Sequence, residues 1–406
     1  MRIIHTSDWH LGQHFMGKSR QAEHQAFLDW LLQQVAVQQA DAVLVAGDIF
    51  DTGAPPSYAR ELYNRLVVAL HELGVQLILL AGNHDSVATL AESQPLLARL
   101  NTLVVPAIDA EPARMVHLLR NKQGQPGALL CALPFIRPRD VMRSEAGQSA
   151  EDKQRSLQQA IASYYQQVYD AACAKRTAQG LPLPIIATGH LTTVGASSSE
   201  AVREIYVGAL EAFPTAAFPP ADYIALGHIH RPQRVGGLDH IRYSGSPIAL
   251  GFDESRQQKE VLLVELDGGG VQHIIPLPVP VFQPMAQLRG TLASLEPQLA
   301  AAAQAGSSTQ PVWLEVCVQA DDYLADLQHR LAQLCDGLPL DILRLRRERP
   351  QQAASLAGSP RETLDELSPQ EVFARRLALE TLDEGLATEL ATRHQHILQQ
   401  LQAGQA

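Results

Sequence analysis

The chain has 406 residues, of which 46% are hydrophobic, and its formal net charge is -11 at pH 7. This length predicts roughly two or three domains with a sizeable core. The acidic balance argues against tight nucleic-acid binding by the whole surface, because contacts to phosphate come mainly from Lys and Arg. No export signal and no apolar stretch approaching about 18 residues is found, so we predict a cytoplasmic protein.

Five short apolar runs predict buried strands, and each is followed by residue types that bind metals. They lie at residues 3–4, 43–45, 75–80, 185–187 and 223–226. Amphipathic stretches of helical length at residues 21–38 and 58–73 separate the first three runs. This alternation predicts a largely parallel sheet, whose strand ends meet at one edge of the core.

The residues at these strand ends are carboxylates, imidazoles and one amide. They are Asp8, His10, Asp48, Asn83, His190, His228 and His230. Oxygen and imidazole ligands without thiolate suit a divalent ion such as Mn²⁺, Mg²⁺, Fe²⁺ or Zn²⁺. Seven ligands are too many for one ion but suffice for two if one carboxylate bridges them, and we choose Asp48 as the bridge.

The chain continues well beyond the predicted catalytic core, which we expect to occupy residues 1–280. Segments 261–266 and 271–276 predict the last strands of this core, and residues 276–284 (PLPVPVFQP) predict a linker. Helix-like segments at 288–305 and 323–334 then alternate with strand-like segments at 312–318 and 342–345. This pattern predicts a small α+β domain over residues 281–349.

A second linker is predicted at residues 350–358, which are rich in Gln, Ala, Ser and Gly. Ser359 and Ser368 each precede a proline and, three residues on, a glutamate, which is typical of a helix N-terminus. Apolar residues recur at helical spacing beyond Ser368, so residues 359–406 predict amphipathic helices. Such helices either dock on a partner or fold back on the small domain, and the sequence leaves both open.

The strings SDWH, GDIFD, GNHD, GHL and GHIH, in this order, resemble the calcineurin-like binuclear metallophosphoesterases. The segment SEAVREIYVG, the string YSGSP and the long extension make the chain similar to one family among them, the nuclease subunits of the bacterial SbcCD complexes. This resemblance implies an α/β fold: a metallophosphoesterase β-sandwich flanked by helices, with a small α+β capping domain and C-terminal amphipathic helices.

The resemblance also implies roles for individual residues. Asp8, His10, Asp48 and His230 would hold one ion, and Asp48, Asn83, His190 and His228 would hold the other. His84 is the candidate general acid, since histidine can protonate a leaving alkoxide near neutral pH. Asp51 is the candidate residue that orients His84.

The family implies a Mn²⁺-dependent DNA nuclease of recombination, replication and repair, with Mg²⁺ as the second candidate ion. Its implied activities are 3′ to 5′ degradation of duplex ends and cutting of single strands and hairpins. Its implied partners are a second copy of the chain and a large ATPase of the structural-maintenance-of-chromosomes type, which binds ATP and docks on the C-terminal helices. We therefore expect association with the nucleoid. A phosphodiesterase acting on cyclic nucleotides is the alternative, and the extension beyond residue 280 argues against it.

Overall fold

The computed structural model describes residues 1–142, 149–199, 201–202, 212–319, 326–348 and 384–403, together with Phe373 and Leu377. Two compact units are distinguished by their internal contacts. The first comprises Met1–Gln287, Leu299–Glu315 and Gly337–Arg344, and the second Leu288–Gln298, Val316–Asp336 and Leu345–Ala406. None of the described helices is long and apolar enough to span a membrane.

The described residues form seventeen strands and nine α-helices. The strands are β1 Arg2–Thr6, β2 His14–Phe15, β3 Lys18–Ser19, β4 Ala42–Ala46, β5 Gln76–Leu80, β6 Thr102–Val105, β7 Val116–Arg120, β8 Pro126–Cys131, β9 Ile185–His190, β10 Tyr223–Gly227, β11 Gln233–Val235, β12 Leu238–Tyr243, β13 Glu260–Asp267, β14 Gly270–Pro278, β15 Met285–Gly290, β16 Val312–Gln319 and β17 Leu340–Glu348. The helices are α1 Gln21–Val37, α2 Ser57–Glu72, α3 Val87–Glu92, α4 Gln94–Arg99, α5 Pro138–Val141, α6 Ala150–Gln179, α7 Leu292–Ala303, α8 Leu327–Leu334 and α9 Glu384–Ala403.

Two six-stranded sheets form the body of the first unit, in the orders β14-β13-β1-β4-β5-β6 and β11-β12-β10-β9-β8-β7. The strands that precede the predicted ligands are parallel to their neighbours in the middle of each sheet. The strands toward the edges, β13 and β14 in one sheet and β7 and β11 in the other, pair antiparallel. The prediction of a largely parallel sheet is therefore right at the centre and wrong at these edges.

The two sheets face each other across one apolar core. Alternate residues of the first sheet, such as Leu44 and Ile78, pack in the same cluster as Ile186 and Ile224 of the second. Their neighbours along the strands, such as Val43, point to the opposite face and pack with the buried sides of α1 and α2. This arrangement confirms the predicted α/β fold, a β-sandwich flanked by helices.

Beyond the sandwich, β15, β16 and β17 form a three-stranded sheet. The helix predicted at residues 288–305 is wrong at its start, because β15 continues to Gly290 and α7 begins at Leu292. The linker predicted at 276–284 starts too early, since β14 pairs with β13 as far as Pro278. Of the C-terminal helices, α9 and the helical residues Phe373 and Leu377 are described. The second linker, Ser359 and Ser368 lie outside the described residues, and the domain limits remain predictions.

Candidate metal centre

The seven predicted ligands lie just beyond, or at the last residue of, β1, β4, β5, β9 and β10. Their side chains form two groups. The ligand atoms of Asp8, His10 and His230 lie within 4.8 Å of one another, and so do those of Asp48, His190 and His228. The Asp48 carboxylate joins the groups, because its Oδ2 lies 3.2 Å from His190 Nε2 and 3.6 Å from His10 Nε2. This is the position that a bridging ligand requires.

Asn83 converges on the second group. Its Oδ1 lies 2.9 Å from His190 Nε2 and 3.2 Å from His228 Nδ1. His84, the next residue, lies beside the first group: its ring is 4.7 Å from that of His10, in an edge-on arrangement. His84 is only half-buried, so a substrate can reach it. The structure thus brings all the predicted ligands and the candidate acid to one place.

The backbone at the site is held in an unusual conformation. Asp8, His10, Asp48 and His228 have φ angles of 53°, 46°, 52° and 94°. Side chains other than glycine rarely adopt such angles, and each costs about 1–3 kcal/mol. The loops are tied together, since Asp8 N donates to Gly47 O and His10 N donates to Asp48 O, both at 3.0 Å. The strain is concentrated where the ligands converge, as at many functional sites.

Three of the histidines are oriented by a hydrogen bond at Nδ1, which leaves Nε2 for a metal ion. His190 Nδ1 donates to the Ala46 carbonyl at 2.9 Å. His10 Nδ1 lies 3.1 Å from the Asp51 carboxylate, and His230 Nδ1 lies 3.1 Å from the Glu254 carboxylate. The tautomer follows from these partners.

Asp51 contacts both His10 and the candidate acid, but with different atoms. Its carboxylate lies against His10, whereas its backbone carbonyl accepts a hydrogen bond from His84 Nδ1 at 2.7 Å. In addition, the backbone N–H of His84 donates to Asp48 Oδ1 at 2.9 Å. The contact to His84 is thus made by the Asp51 backbone, and the role of the Asp51 side chain in orienting His84 stays a prediction.

The carboxylates make the site attractive to positive charge. Burial lowers the pKa of His190, but the nearby Asp48 outweighs burial and raises that pKa to about 9. Burial likewise opposes protonation of His10, yet the hydrogen bond to Asp51 and the charge of Asp48 raise its pKa. Conversely, burial would raise the pKa of Asp48, and the surrounding histidines hold it well below its usual range. A cation at this position is stabilised, whether it is a proton or a metal ion.

The donor set fits divalent metal ions. His10 Nε2 and His228 Nε2 are buried, and neither finds a hydrogen-bond partner in the described part of the chain. Unpartnered buried nitrogens are costly unless something binds them. Carboxylate, imidazole and amide donors without thiolate match hard or borderline divalent ions. The residues present thus fit two such ions.

Two buried carboxylates of the site were not predicted. Asp85 accepts backbone hydrogen bonds from Ile49, Phe50 and Gly82, and so fixes the loop after Asp48. Burial, with a contribution from the Asp48 charge, raises the pKa of Asp85 to about 6. Its position in GNHD was a signal that could have identified it. Glu254 lies seven residues after the YSGSP string but in none of the strings that carry candidate ligands, so no signal in the sequence pointed to it.

Comparison with known proteins agrees with this geometry. Residues 1–232 match the model of the calcineurin-like phosphoesterases, and residues 281–381 match a model described as the type 5 capsule protein repressor C-terminal domain. The first match covers more than half of the chain. The fold, the site and this match define a calcineurin-like metallophosphoesterase.

Comparison with individual proteins identifies a narrower family within this class. The chain is 56% identical to the SbcD subunit of nuclease SbcCD from Escherichia coli (strain K12) over 384 residues, which are 95% of this chain and 94% of that protein. It is 36% identical to the Rhodobacter capsulatus protein of the same name, covering 92% of this chain and 94% of that one. It is 31% identical to the Bacillus subtilis protein of that name, covering 66% of this chain and 67% of that one. The chain belongs to the family of SbcD nuclease subunits and is a metal-dependent nuclease.

Proposed function

We propose that this nuclease hydrolyses DNA phosphodiester bonds with two divalent ions, Mn²⁺ in preference to Mg²⁺, that share the Asp48 carboxylate. The observation that supports it best is the pair of ligand groups joined by Asp48. Bound ions would supply a Lewis acid for the phosphoryl oxygens and lower the pKa of the attacking water. In this proposal the ions are held as the family resemblance implies, one by Asp8, His10, Asp48 and His230, the other by Asp48, Asn83, His190 and His228.

His84 would protonate the leaving oxygen. Its Nδ1 donates to the Asp51 carbonyl, so Nε2 is the atom that would carry the transferred proton. As water attacks phosphorus and the bond to the leaving oxygen breaks, this proton would pass from Nε2 to that oxygen. Acid catalysis of this kind contributes about 10²–10⁴ in rate. Asp51 would serve as an orienting residue for both His84 and His10.

On DNA, we propose 3′ to 5′ exonuclease action at duplex ends and endonuclease action on single strands and hairpins. The family resemblance supports this choice over a small cyclic substrate. We assign residues 1–280 to the nuclease domain and residues 281–349 to a capping domain that controls access of duplex DNA. The protein would act at the nucleoid, as a homodimer.

The relatives are named as one component of SbcCD, and we propose that this chain also works with a second component, an ATPase of the structural-maintenance-of-chromosomes type. Helix α9 would contribute to its docking site. Phe373 stacks on His394 of α9 with ring centroids 3.9 Å apart, which supports a pair of packed helical segments. Ile397 on the same helix is 53% exposed, and this apolar side chain is available to a partner.

The test is cleavage of a labelled DNA hairpin and a plain duplex by the purified chain. Mn²⁺, Mg²⁺ and EDTA are compared, with and without the coexpressed ATPase partner and ATP. We expect cutting that depends on Mn²⁺ and increases with the partner. Hydrolysis of bis-p-nitrophenyl phosphate without DNA cleavage under any condition would favour a small-substrate phosphodiesterase instead.

A further inference from the structure

Glu254 is a fully buried carboxylate with every oxygen satisfied. Its Oε1 accepts from His230 Nδ1 at 3.1 Å and from Ser199 Oγ at 2.5 Å. Its Oε2 accepts from Lys259 Nζ at 2.7 Å and from the Leu250 backbone N–H at 3.0 Å. The side chain is 0% exposed. An arrangement with this many partners holds the carboxylate in one orientation.

The ion pair that Glu254 makes with Lys259 holds His230 at two places. Glu254 receives the ring proton at Nδ1, while Lys259 Nζ donates to the backbone carbonyl of His230 at 3.0 Å. Lys259 also donates to Ser246 Oγ at 3.0 Å. Buried ion pairs add little stability by themselves, because removing both charges from water is costly. That both ends of this pair meet at His230 points to a role at the metal centre.

We propose that Glu254 is a positioning residue, which fixes the proton of His230 on Nδ1 and presents Nε2 to a metal ion, with Ser199 and Lys259 fixing Glu254 in turn. This proposal rests on the two-ion function proposed above. A carboxylate behind a histidine sets the tautomer and makes the imidazole a stronger ligand. In this proposal Glu254 acts through His230 and is not itself a ligand.

Glu254 should affect the binding of the two proposed ions differently. In the group of Asp8, His10 and His230, both imidazoles are backed by carboxylates, Asp51 and Glu254. In the other group, His190 is backed by the neutral carbonyl of Ala46. Loss of the Glu254 charge should therefore weaken one ion and spare the other.

The experiment is a Mn²⁺ titration followed by calorimetry and by electron paramagnetic resonance, on the full chain and on E254Q. The variant keeps the shape of the side chain and removes its charge. We expect one of two binding steps to weaken by about 10–100-fold, the effect typical of such partners, and the other to stay within about twofold. Measuring metal binding keeps the test independent of DNA cleavage.

The matched control is E23Q. Glu23 is also a buried glutamate in an ion pair, with Arg20 at 2.6 Å, and it is 7% exposed. If buried glutamates merely support the fold, both variants lower the melting temperature and leave both Mn²⁺ steps unchanged. Our proposal requires that E254Q alone loses affinity at one step. A folded E254Q that binds both ions as tightly as the parent overturns it.

A second variant covers the case in which E254Q does not fold. Ser199→Ala removes one hydrogen bond to Oε1 and leaves the ion pair intact, so we expect the same step to weaken by a few-fold. An unchanged step in S199A would then reject the proposal. A parent chain that binds no Mn²⁺ would instead contradict the two-ion function, and the two failures are therefore distinguishable.

Discussion

Three adjacent residues of the GNHD string, Asn83, His84 and Asp85, make quite different contacts. Asn83 points its amide oxygen at two histidines of the ligand set, whereas His84 contacts the Asp51 carbonyl and lies beside His10. Asp85 is turned into the protein, where its carboxylate accepts from the N–H groups of Ile49 and Phe50 in the loop after Asp48 and from that of Gly82 in its own loop. In the proposed mechanism, these adjacent residues would serve as ligand, acid and support.

Replacement of His84 should separate chemistry from metal binding. We expect His84→Gln to keep both Mn²⁺ sites within about twofold and to lower cleavage of a DNA hairpin by about 10²–10⁴-fold, because only the proton donor is lost. Mn²⁺ titration and cleavage kinetics on the same preparation measure both. His71→Gln, on an exposed part of α2, is the control. Full activity of His84→Gln would remove the general-acid assignment.

A buried histidine near the site links stability to pH. His24 is 1% exposed, and burial, helped by the Arg20 charge, lowers its pKa to about 3. Between about pH 6.5 and 3 the unfolded chain binds a proton there that the folded chain does not. The free energy of unfolding therefore loses up to about 1.4 kcal/mol per pH unit from this residue as the pH falls through that window.

His24→Phe should abolish this contribution. Urea unfolding in EDTA at pH 6.5 and 5.5 gives the stability difference between variant and parent at each pH. We expect the difference to shift in favour of the variant by about 1 kcal/mol on going to the lower pH. Subtracting the parent from the variant at each pH cancels the contributions of His10 and His190. Their raised pKa values change stability with pH in the opposite direction to His24. An identical difference at both pH values would contradict the buried, uncharged state of His24.

Among the elements, those with a clear apolar pattern were predictable, and those without one were not. Runs such as residues 43–45 and 223–226 are continuous apolar segments followed by polar residues, and β4 and β10 are buried along their whole length. Helix α6, of 30 residues, was not predicted. It buries one narrow face with Leu157, Ile161, Tyr165 and Val168, and is otherwise rich in polar residues. A long helix with so few apolar positions gives a weak periodic signal.

The convergence of the candidate ligands was predictable for the same reason, because each of them stands at or just after the end of a strand. The supporting residues were not. Glu254 reaches His230 from the turn before β13, and Lys259 follows five residues later. Only the folded chain brings them together, since the sequence around Glu254 (GFDESRQQKE) has the composition of an ordinary exposed loop. The positive φ angles of Asp8 and His10 likewise arise from tertiary contacts.

The β2–β3 hairpin is packed against β16 by aromatic side chains. Phe15 and Trp313 stack with centroids 5.9 Å apart and planes 11° from parallel, and the Arg20 guanidinium lies 5.9 Å from the Trp313 ring. Trp313 is 7% exposed. We expect Trp313→Ala to lower the free energy of unfolding by about 3–5 kcal/mol, as for other buried aromatics, and Trp313→Phe to lose less. Urea titration measures both, and equal losses would contradict the stacking argument.

At the scale of the whole molecule, the negative net charge bears on how the chain would meet DNA. A net charge of -11 opposes approach to DNA, and bound divalent ions offset only part of it. Arg344, in the last strand of the three-stranded sheet, forms an ion pair with Glu315 at 3.2 Å, so its charge is already partly neutralised. We therefore expect the proposed ATPase partner to supply much of the positive surface that meets DNA.

Docking of the proposed ATPase partner on helix α9 can be tested with a single substitution. Ile397→Asp places a charge on an exposed apolar position, and we expect it to abolish copurification with the ATPase partner. Hydrolysis of bis-p-nitrophenyl phosphate should remain within about twofold of the parent. Gln395→Asp, at an exposed polar position of the same helix, should change neither. Retention of the partner by Ile397→Asp would exclude this face of α9 from the docking site.

The proposed two-ion centre is tested most directly by anomalous diffraction at the manganese edge from crystals soaked in Mn²⁺. We predict two peaks, roughly 3.5–4 Å apart on either side of the Asp48 carboxylate. One should lie among Asp8, His10 and His230, and the other among Asn83, His190 and His228. A single peak, or two peaks that do not share Asp48, would contradict the bridged arrangement on which the proposed chemistry depends.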